Sequence, residues 1–231
     1  MDNIYTRRKN KKNSLKRLLL LAIFLCIIAV MPVIYGPFFK VDDIQVRGNK
    51  DIPTATIKKY LEYFYGQNIL MIEKEAINNA ITESLPVKEV NVSCKLPRRI
   101  IVTIKERDVA AAIPFLNSFA LIDDEGIVVK IMPNFENLSI PIITGLKISH
   151  AEVAKSPIIE TSPEAYDKLK ELLQVIKDFS SELSEINISD EDDVIFYLYT
   201  LDGYQIVLRE CSQQKIILLM KILQDLRENG R

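Results

Sequence analysis

An uninterrupted apolar run near the N-terminus constrains this chain more than any other feature. Residues 18–35 read LLLLAIFLCIIAVMPVIY, 18 positions without a charge. At 1.5 Å per residue such a helix is about 27 Å long, against a bilayer core of roughly 30 Å. Leu15 and the following Gly36-Pro37-Phe38-Phe39 can lengthen the apolar contact, and Pro32 lies near the outer end, where a kink is tolerated. A cleaved signal peptide has a shorter apolar region and a small-x-small exit. Here the run closes on Val33-Ile34-Tyr35-Gly36-Pro37. The expectation is an uncleaved transmembrane helix over 18–36 in contact with the lipid bilayer. Seven bases precede it in 1–17, and none follows until Lys40. The positive-inside rule therefore makes 1–17 a basic cytoplasmic tail and sends the rest outside the cytoplasmic membrane. No second run is long enough to span.

The net charge of −1 hides this asymmetry: beyond residue 17 the chain carries 23 bases and 30 acids, a net of −7. An acidic body does not fit nucleic-acid binding, whereas a basic head suits an anionic membrane surface. Cys26, Cys94 and Cys211 are an odd count with neither disulfide nor metal-ligand spacing. Cys94 alternates with Val90 and Val92 and reads as a buried strand position. The one histidine, His150, falls in an expected loop with no nucleophile to pair with. The acidic run 190–193 lacks the glycine and the later glutamate of a calcium loop and reads as a solvated turn. Asn91, Asn137 and Asn187 head glycosylation-type triplets, which arise readily by chance. There is no phosphate-binding, dinucleotide or zincin motif. The residues thus predict no enzyme, no catalytic residue, no cofactor or metal and no small-molecule substrate.

Past the apolar run, Ile44 and Val46 alternate with polar residues as a short strand, and Gly48-Asn49 reads as a tight turn. Residues 54–65 predict a helix with Ile57, Leu61, Phe64 and Tyr65 on one stripe, ended by Gly66. Residues 73–85 predict a second, with Ala76, Ile77, Ala80, Ile81 and Leu85 inward and Pro86 as its stop. Two alternating strands follow: Val90, Val92, Cys94 and Leu96, then Ile100, Val102 and Ile104, with Pro97-Arg98 between them. The order is β-α-α-β-β, a three-stranded sheet with two helices on one face.

These elements, with the segments FKVDDIQVRGNKDIP, GQNILMI and LPVKEVNVSCKLPRRIIVTIKERDVAAAI, resemble the membrane-proximal POTRA (polypeptide-transport-associated) domain of the FtsQ/DivIB cell-division family. Val87 stands where that family commonly has an aromatic. The resemblance implies a POTRA domain over 40–107 and a second, mixed α/β domain over 108–231 with mainly antiparallel strands, an α+β fold overall.

The second region agrees with that pattern. The stretch 109–113 is a short apolar segment closed by Pro114. SFALIDDEGIVVKI predicts a hairpin turning at 123–126, and SIPIITGL follows. Residues 146–161 read as loop. Ser162-Pro163-Glu164 is a helix start, with Leu169, Leu172, Leu173, Ile176 and Phe179 inward. Ile186 and Ile188 suggest a strand, and VIFYLYTLDGYQIVLRE a hairpin around Asp202-Gly203. Ser212 can cap a last helix with Ile216, Leu219, Met220, Leu223 and Leu226 inward. Family members commonly continue into a further strand at the surface that receives a partner; here the helix is followed only by residues up to Arg231. The expectation is that the hairpin 194–209 offers the edge itself, or that partner binding is weakened.

The resemblance implies a scaffold of the bacterial division machinery. It would be a single-pass protein of the cytoplasmic (inner) membrane at the division septum, binding FtsB/DivIC-like and FtsL-like single-pass proteins and so helping to control septal peptidoglycan synthesis. Tyr197, Tyr199, Tyr204, Ile206 and Leu208 are the candidate partner-binding residues; alternation requires that about half of them face the core. The alternative is a membrane-anchored POTRA-type transport or chaperone module that binds extended polypeptides, which would call for tandem copies or a barrel. A secreted hydrolase would require loss of 1–36 and an active-site pocket.

Overall fold

The computed structural model describes residues 3–134, 139–160, 162–189, 193–209 and 212–228. Asn137, Cys211 and residues 190–192 of the acidic run lie outside them. The chain divides into two compact units, one made of Met1–Ala80 and Asn91–Ile104, the other of Ile81–Val90 and Lys105–Arg231.

In the first unit, α1 (Asn3–Tyr35) contains the apolar run, with Pro32 inside it. Its stretch Lys16–Tyr35 is 20 residues long and its side chains are not buried in the protein. That is about 30 Å of helix, which fits a membrane anchor. After a 3-10 turn at Pro37–Phe39 comes β1 (Asp43–Arg47), then α2 (Thr54–Tyr60). Helix α2 is shorter than its periodicity predicts. Beyond Leu61 it tightens into a 3-10 turn, Glu62–Phe64, and Gly66 swings the chain back to pair with Val41. Tyr65 consequently points out, while Ile57, Leu61 and Phe64 are buried as expected.

The β-α-α-β-β order is present: α3 (Lys74–Thr82), β2 (Val87–Lys95) and β3 (Arg99–Glu106) complete it. The sheet order is β1-β3-β2, with β1 parallel to β3 and Ile44 opposite Ile100. Leu96-Pro97 is a cis peptide in the β2–β3 turn. The Gly48 turn is now explained. Its φ is +83°, and a Cβ there would strike the Ile104 carbonyl oxygen, so the strand end can approach β3 only as glycine. Asn49 closes the turn by donating to the Ile52 carbonyl at 2.9 Å.

The second unit contains a seven-stranded sheet in the order β12-β11-β10-β7-β4-β5-β6. Its strands are β4 (Ala111–Phe115), β5 (Ser118–Ile122), β6 (Val128–Met132), β7 (Ile142–Thr144), β10 (Leu183–Ser189), β11 (Ile195–Thr200) and β12 (Gln205–Leu208). Pairing is antiparallel except that β7 runs parallel to β4 and β10. Helices α4 (Pro163–Val175) and α5 (Gln213–Glu228) share one buried core with the sheet. Ser162 caps α4 by accepting from the Ala165 N–H at 3.2 Å, and all five residues expected on the α4 stripe are buried. On α5, Ile216 and Leu223 are buried, but Met220 is exposed.

Three further sequence expectations are corrected. Pro114 does not end its strand; it pairs with Phe119 inside β4. In that register its missing N–H would face β7, which reaches β4 only at Ala112, so no ladder bond is lost. Residues 146–161 are not all loop, because Ile148–His150 (β8) pairs with Ile158–Ile159 (β9). Strands of three and two residues are too short to show a period. His150 accordingly sits on a strand, exposed.

An ion cluster fastens the β5–β6 turn. Asp123 is fully buried; its Oδ1 accepts from the N–H groups of Glu125 and Ile127 at 3.0 and 2.8 Å, and Arg107 donates to its Oδ2. Arg107 also pairs with Glu125 at 2.6 Å, and Asp124 is held by Lys88 at 2.9 Å and Lys177 at 3.2 Å. Burial works against the charge on Arg107, but its hydrogen bonds to Glu125 and Asp123 outweigh that and raise its pKa. Tyr166 reaches the same turn, donating to the Gly126 carbonyl at 2.6 Å.

Asp123→Ala should therefore cost about 3 kcal/mol, because two N–H groups of the turn and a half-buried guanidinium lose their buried acceptor. Glu125→Ala, at the exposed end of the cluster, should cost less than about 1 kcal/mol. Urea unfolding of both variants in detergent, followed by near-ultraviolet tyrosine dichroism, checks the contrast.

Candidate partner-binding edge

The β11–β12 hairpin turns through three residues, 201–203. Gly203 takes the left-handed position, with φ +94°. The Thr200 N–H donates to the Tyr204 carbonyl at 2.9 Å, and the Gly203 N–H returns to Thr200 at 3.1 Å. From there the register runs Tyr199 opposite Gln205, Leu198 opposite Ile206, Tyr197 opposite Val207 and Phe196 opposite Leu208. Hydrogen-bonded pairs alternate along an antiparallel ladder. With Thr200–Tyr204 bonded, Ile206 and Leu208 also bond toward β11, and Gln205 and Val207 turn their N–H and C=O groups to the open side. β12 is the outermost strand, so those groups face no strand among the described residues.

The opposite edge of the sheet is closed differently. Val128 of β6 donates to the Lys155 carbonyl at 2.9 Å and accepts from the Ala154 N–H at 2.8 Å. That loop covers the start of β6, where a further strand would begin to pair. The β12 edge is thus the better docking strand.

Side chains sort by face. Ile206 and Leu208 are buried in the core beneath α4 and α5, and Tyr204 packs against that core. Tyr197 and Tyr199 lie half-buried on the other face. Their cross-strand neighbours there are Val207, 53% exposed, and Gln205, whose amide donates to the Tyr199 hydroxyl at 3.0 Å. Of the five candidates, the hairpin therefore brings Tyr197 and Tyr199 together on an accessible strip and gives the side chains of Ile206 and Leu208 to packing. Gln205 and Val207 were missed, although the same alternation places them on the opposite parity.

Helix α5 is tied to the hairpin. Arg227 pairs with Asp202 in the turn at 2.5 Å and with Glu182 at 2.7 Å. A cleft of about 470 Å³ runs beside this tie, lined by Phe179, Glu182, Ile217, Met220 and Arg227 among others. Its lining mixes apolar side chains with Glu182, Lys221, Gln224 and Arg227, and no cluster of catalytic groups is among them. Among the described residues no three His, Cys, Asp or Glu are grouped to hold a metal.

The Arg227 hydrogen bond holds Asp202 down to about 2 from its ordinary 3.8. A depressed carboxyl contributes stability that is fully present above its unfolded value, so the tie holds above pH ~4 and is lost as pH falls toward 2. Arg227→Ala should raise amide exchange along α5 and leave that of β1 and β3 unchanged at neutral pH. In the parent chain the α5 protection factors, each taken against the unstructured rate at the same pH, should fall on acidification through that window.

Comparison with known proteins shows the family. The chain is 28% identical over 153 residues to the cell division protein DivIB of Clostridium botulinum (strain Hall), covering 66% of this chain and 59% of that protein. It is 32% identical over 88 residues to the cell division protein FtsQ of Rickettsia bellii, covering 38% of this chain and 33% of the other. The chain thus spans about three fifths of the length of the clostridial relative. A solved structure, the major extracytoplasmic domain of the trans isomer of DivIB from Geobacillus stearothermophilus, matches 46% of this chain and 80% of its own, with 16% identity and a TM-score of 0.32. The FtsQ-type POTRA domain model matches residues 39–107. The C-terminal domain model of cell division protein FtsQ/DivIB matches residues 114–230, just over half of the chain, so the chain belongs to the FtsQ/DivIB family.

Proposed function

We propose that this chain is a membrane-anchored scaffold of bacterial cell division that binds by strand addition. Residues 1–17 stay in the cytoplasm, the apolar span of α1 crosses the inner membrane, a POTRA domain over 40–107 and a second domain over 108–231 lie outside, and the protein works at the septum. Its partners are FtsB/DivIC-like and FtsL-like single-pass proteins, through which it helps control septal peptidoglycan synthesis. Family membership supports the cell-division role. The observation that carries the binding mode is the open β12 edge, with Gln205 and Val207 bonding outward beside Tyr197 and Tyr199. An extended partner segment gains backbone hydrogen bonds there and lays alternate side chains on the tyrosine strip. Binding is the whole activity in this reading; no reaction is assigned.

Two experiments test it. An N-terminal fluorescent fusion should form a midcell band in dividing cells, and a uniform membrane signal from the intact fusion counts against the septal role. Val207→Pro removes an outward N–H while leaving the bonds to β11 in place. It should reduce capture of a DivIC-like extracytoplasmic segment at least tenfold with little change in unfolding midpoint. Val207→Thr, which keeps the N–H, should bind within about twofold of the parent, since exposed substitutions away from special features change little.

A further inference from the structure

We propose that the turn formed by residues 62–71 is a foot that rests in the interface of the outer leaflet, fixed to the end of the membrane helix by Asn68. The inference rests on the reading of Lys16–Tyr35 as the bilayer span.

The last carbonyls of a helix have no partner within it. At the end of α1, the Asn68 side-chain amide donates to the Ile34 carbonyl at 2.6 Å. Asn68 is itself fixed, because its Oδ1 accepts from the Leu70 N–H at 3.0 Å and its carbonyl accepts from the Met71 N–H at 2.9 Å. Backbone bonds repeat the tie on either side. The Ile69 N–H donates to Phe39 at 2.8 Å, the Val41 N–H to Gln67 at 2.9 Å and the Gly66 N–H to Val41 at 2.8 Å. The Gln67 side chain then holds the Tyr63 carbonyl at 2.8 Å. This folded turn is therefore clamped where the apolar span ends.

Phe64 and Ile69 of that turn are buried, but several large apolar side chains on it and on the preceding 3-10 turn face outward. Tyr63 is 80% exposed, Met71 59%, Phe38 57% and Leu70 48%, with Tyr65 beside them. Tyr63 and Phe38 are held in edge-on ring pairs with Phe64 and Phe39, at 5.6 and 5.1 Å. A cluster of this kind on a water-facing surface is unfavourable, and contiguous apolar patches mark contacts. A span of about 30 Å that ends at Tyr35 puts the Asn68 tie at headgroup depth, where tyrosine rings combine an apolar body with a wet hydroxyl. Charges of both signs flank these residues in the sequence, Glu62 and Glu73 with Lys40, Lys59 and Lys74, so the recognition is of the apolar–polar boundary, not of anionic lipid charge. The Asn68–Ile34 tie sets these side chains beside the end of the exposed apolar helix, which makes the bilayer their occupant.

The test uses the full chain in phosphatidylcholine vesicles, with a bimane label on single cysteines and brominated lipid as contact quencher. Tyr63→Cys, Met71→Cys and Ala55→Cys are each made with Cys26, Cys94 and Cys211 replaced by Ala, and a fourth variant keeps Cys26 alone. Labels at 26, 63 and 71 should lose intensity in brominated vesicles, and the label at 55, in the first turn of α2, should not. Quenching at 26 with none at 63 and 71 would overturn the foot and leave the anchor intact. Equal quenching at 55, 63 and 71 would also overturn it, because the contact would then not be this patch. No quenching at 26 would remove the anchor, and the foot with it.

Discussion

A sheet of seven strands has two outer edges, and the way each is finished governs what this protein can do. Interior strands satisfy their backbone on both sides, whereas an edge strand leaves every other residue to water or to a visitor. At β6 the Ala154–Lys155 loop takes both backbone groups of Val128. At β12 the outward groups belong to Gln205 and Val207, and no such loop covers them among the described residues. The inward side chains of β12 cannot be recruited, because Ile206 and Leu208 belong to the core shared with α4 and α5. In the proposed strand addition, recognition therefore falls to backbone groups and to the strip on the far face. That division of labour gives affinity with little side-chain signature, and it is why a motif search finds no site here.

The same economy appears at short motifs that carry no chemistry. Gly48 permits a close approach of β1 to β3 that any side chain would block. Arg107, from the I-K-E-R segment, and Asp123, from L-I-D-D-E-G, meet as one buried ion pair. Gly66-Gln67-Asn68 ties a turn to the end of the membrane helix. Each motif is a local geometric need met by one residue type, and together they hold turns and strand ends in place.

The architecture was largely legible in the sequence. The apolar span, the β-α-α-β-β order, the Ser162 cap and the hairpin at Asp202-Gly203 follow from length, period and turn chemistry. What escaped was set by tertiary pairing. Helix α2 stops early because 66–69 must reach 39–41, and Pro114 survives inside β4 because β7 is short. The β8–β9 pair is too brief to leave a period. The candidate site was half legible. Alternation identified the hairpin and its two faces, but which parity faces the core depends on where α4 and α5 lie. The outward backbone of Gln205 and Val207 depends on the register set by the turn, which side-chain pattern does not encode.

Amide hydrogen exchange on the full chain in lipid nanodiscs, with and without a DivIC-like extracytoplasmic segment, tests the central claim most directly. Strand addition at β12 predicts that the Gln205 and Val207 amides become protected on binding, while those of Ile206 and Leu208, already bonded to β11, change little. Saturating binding that leaves Gln205 and Val207 exchanging as in the free protein would contradict it.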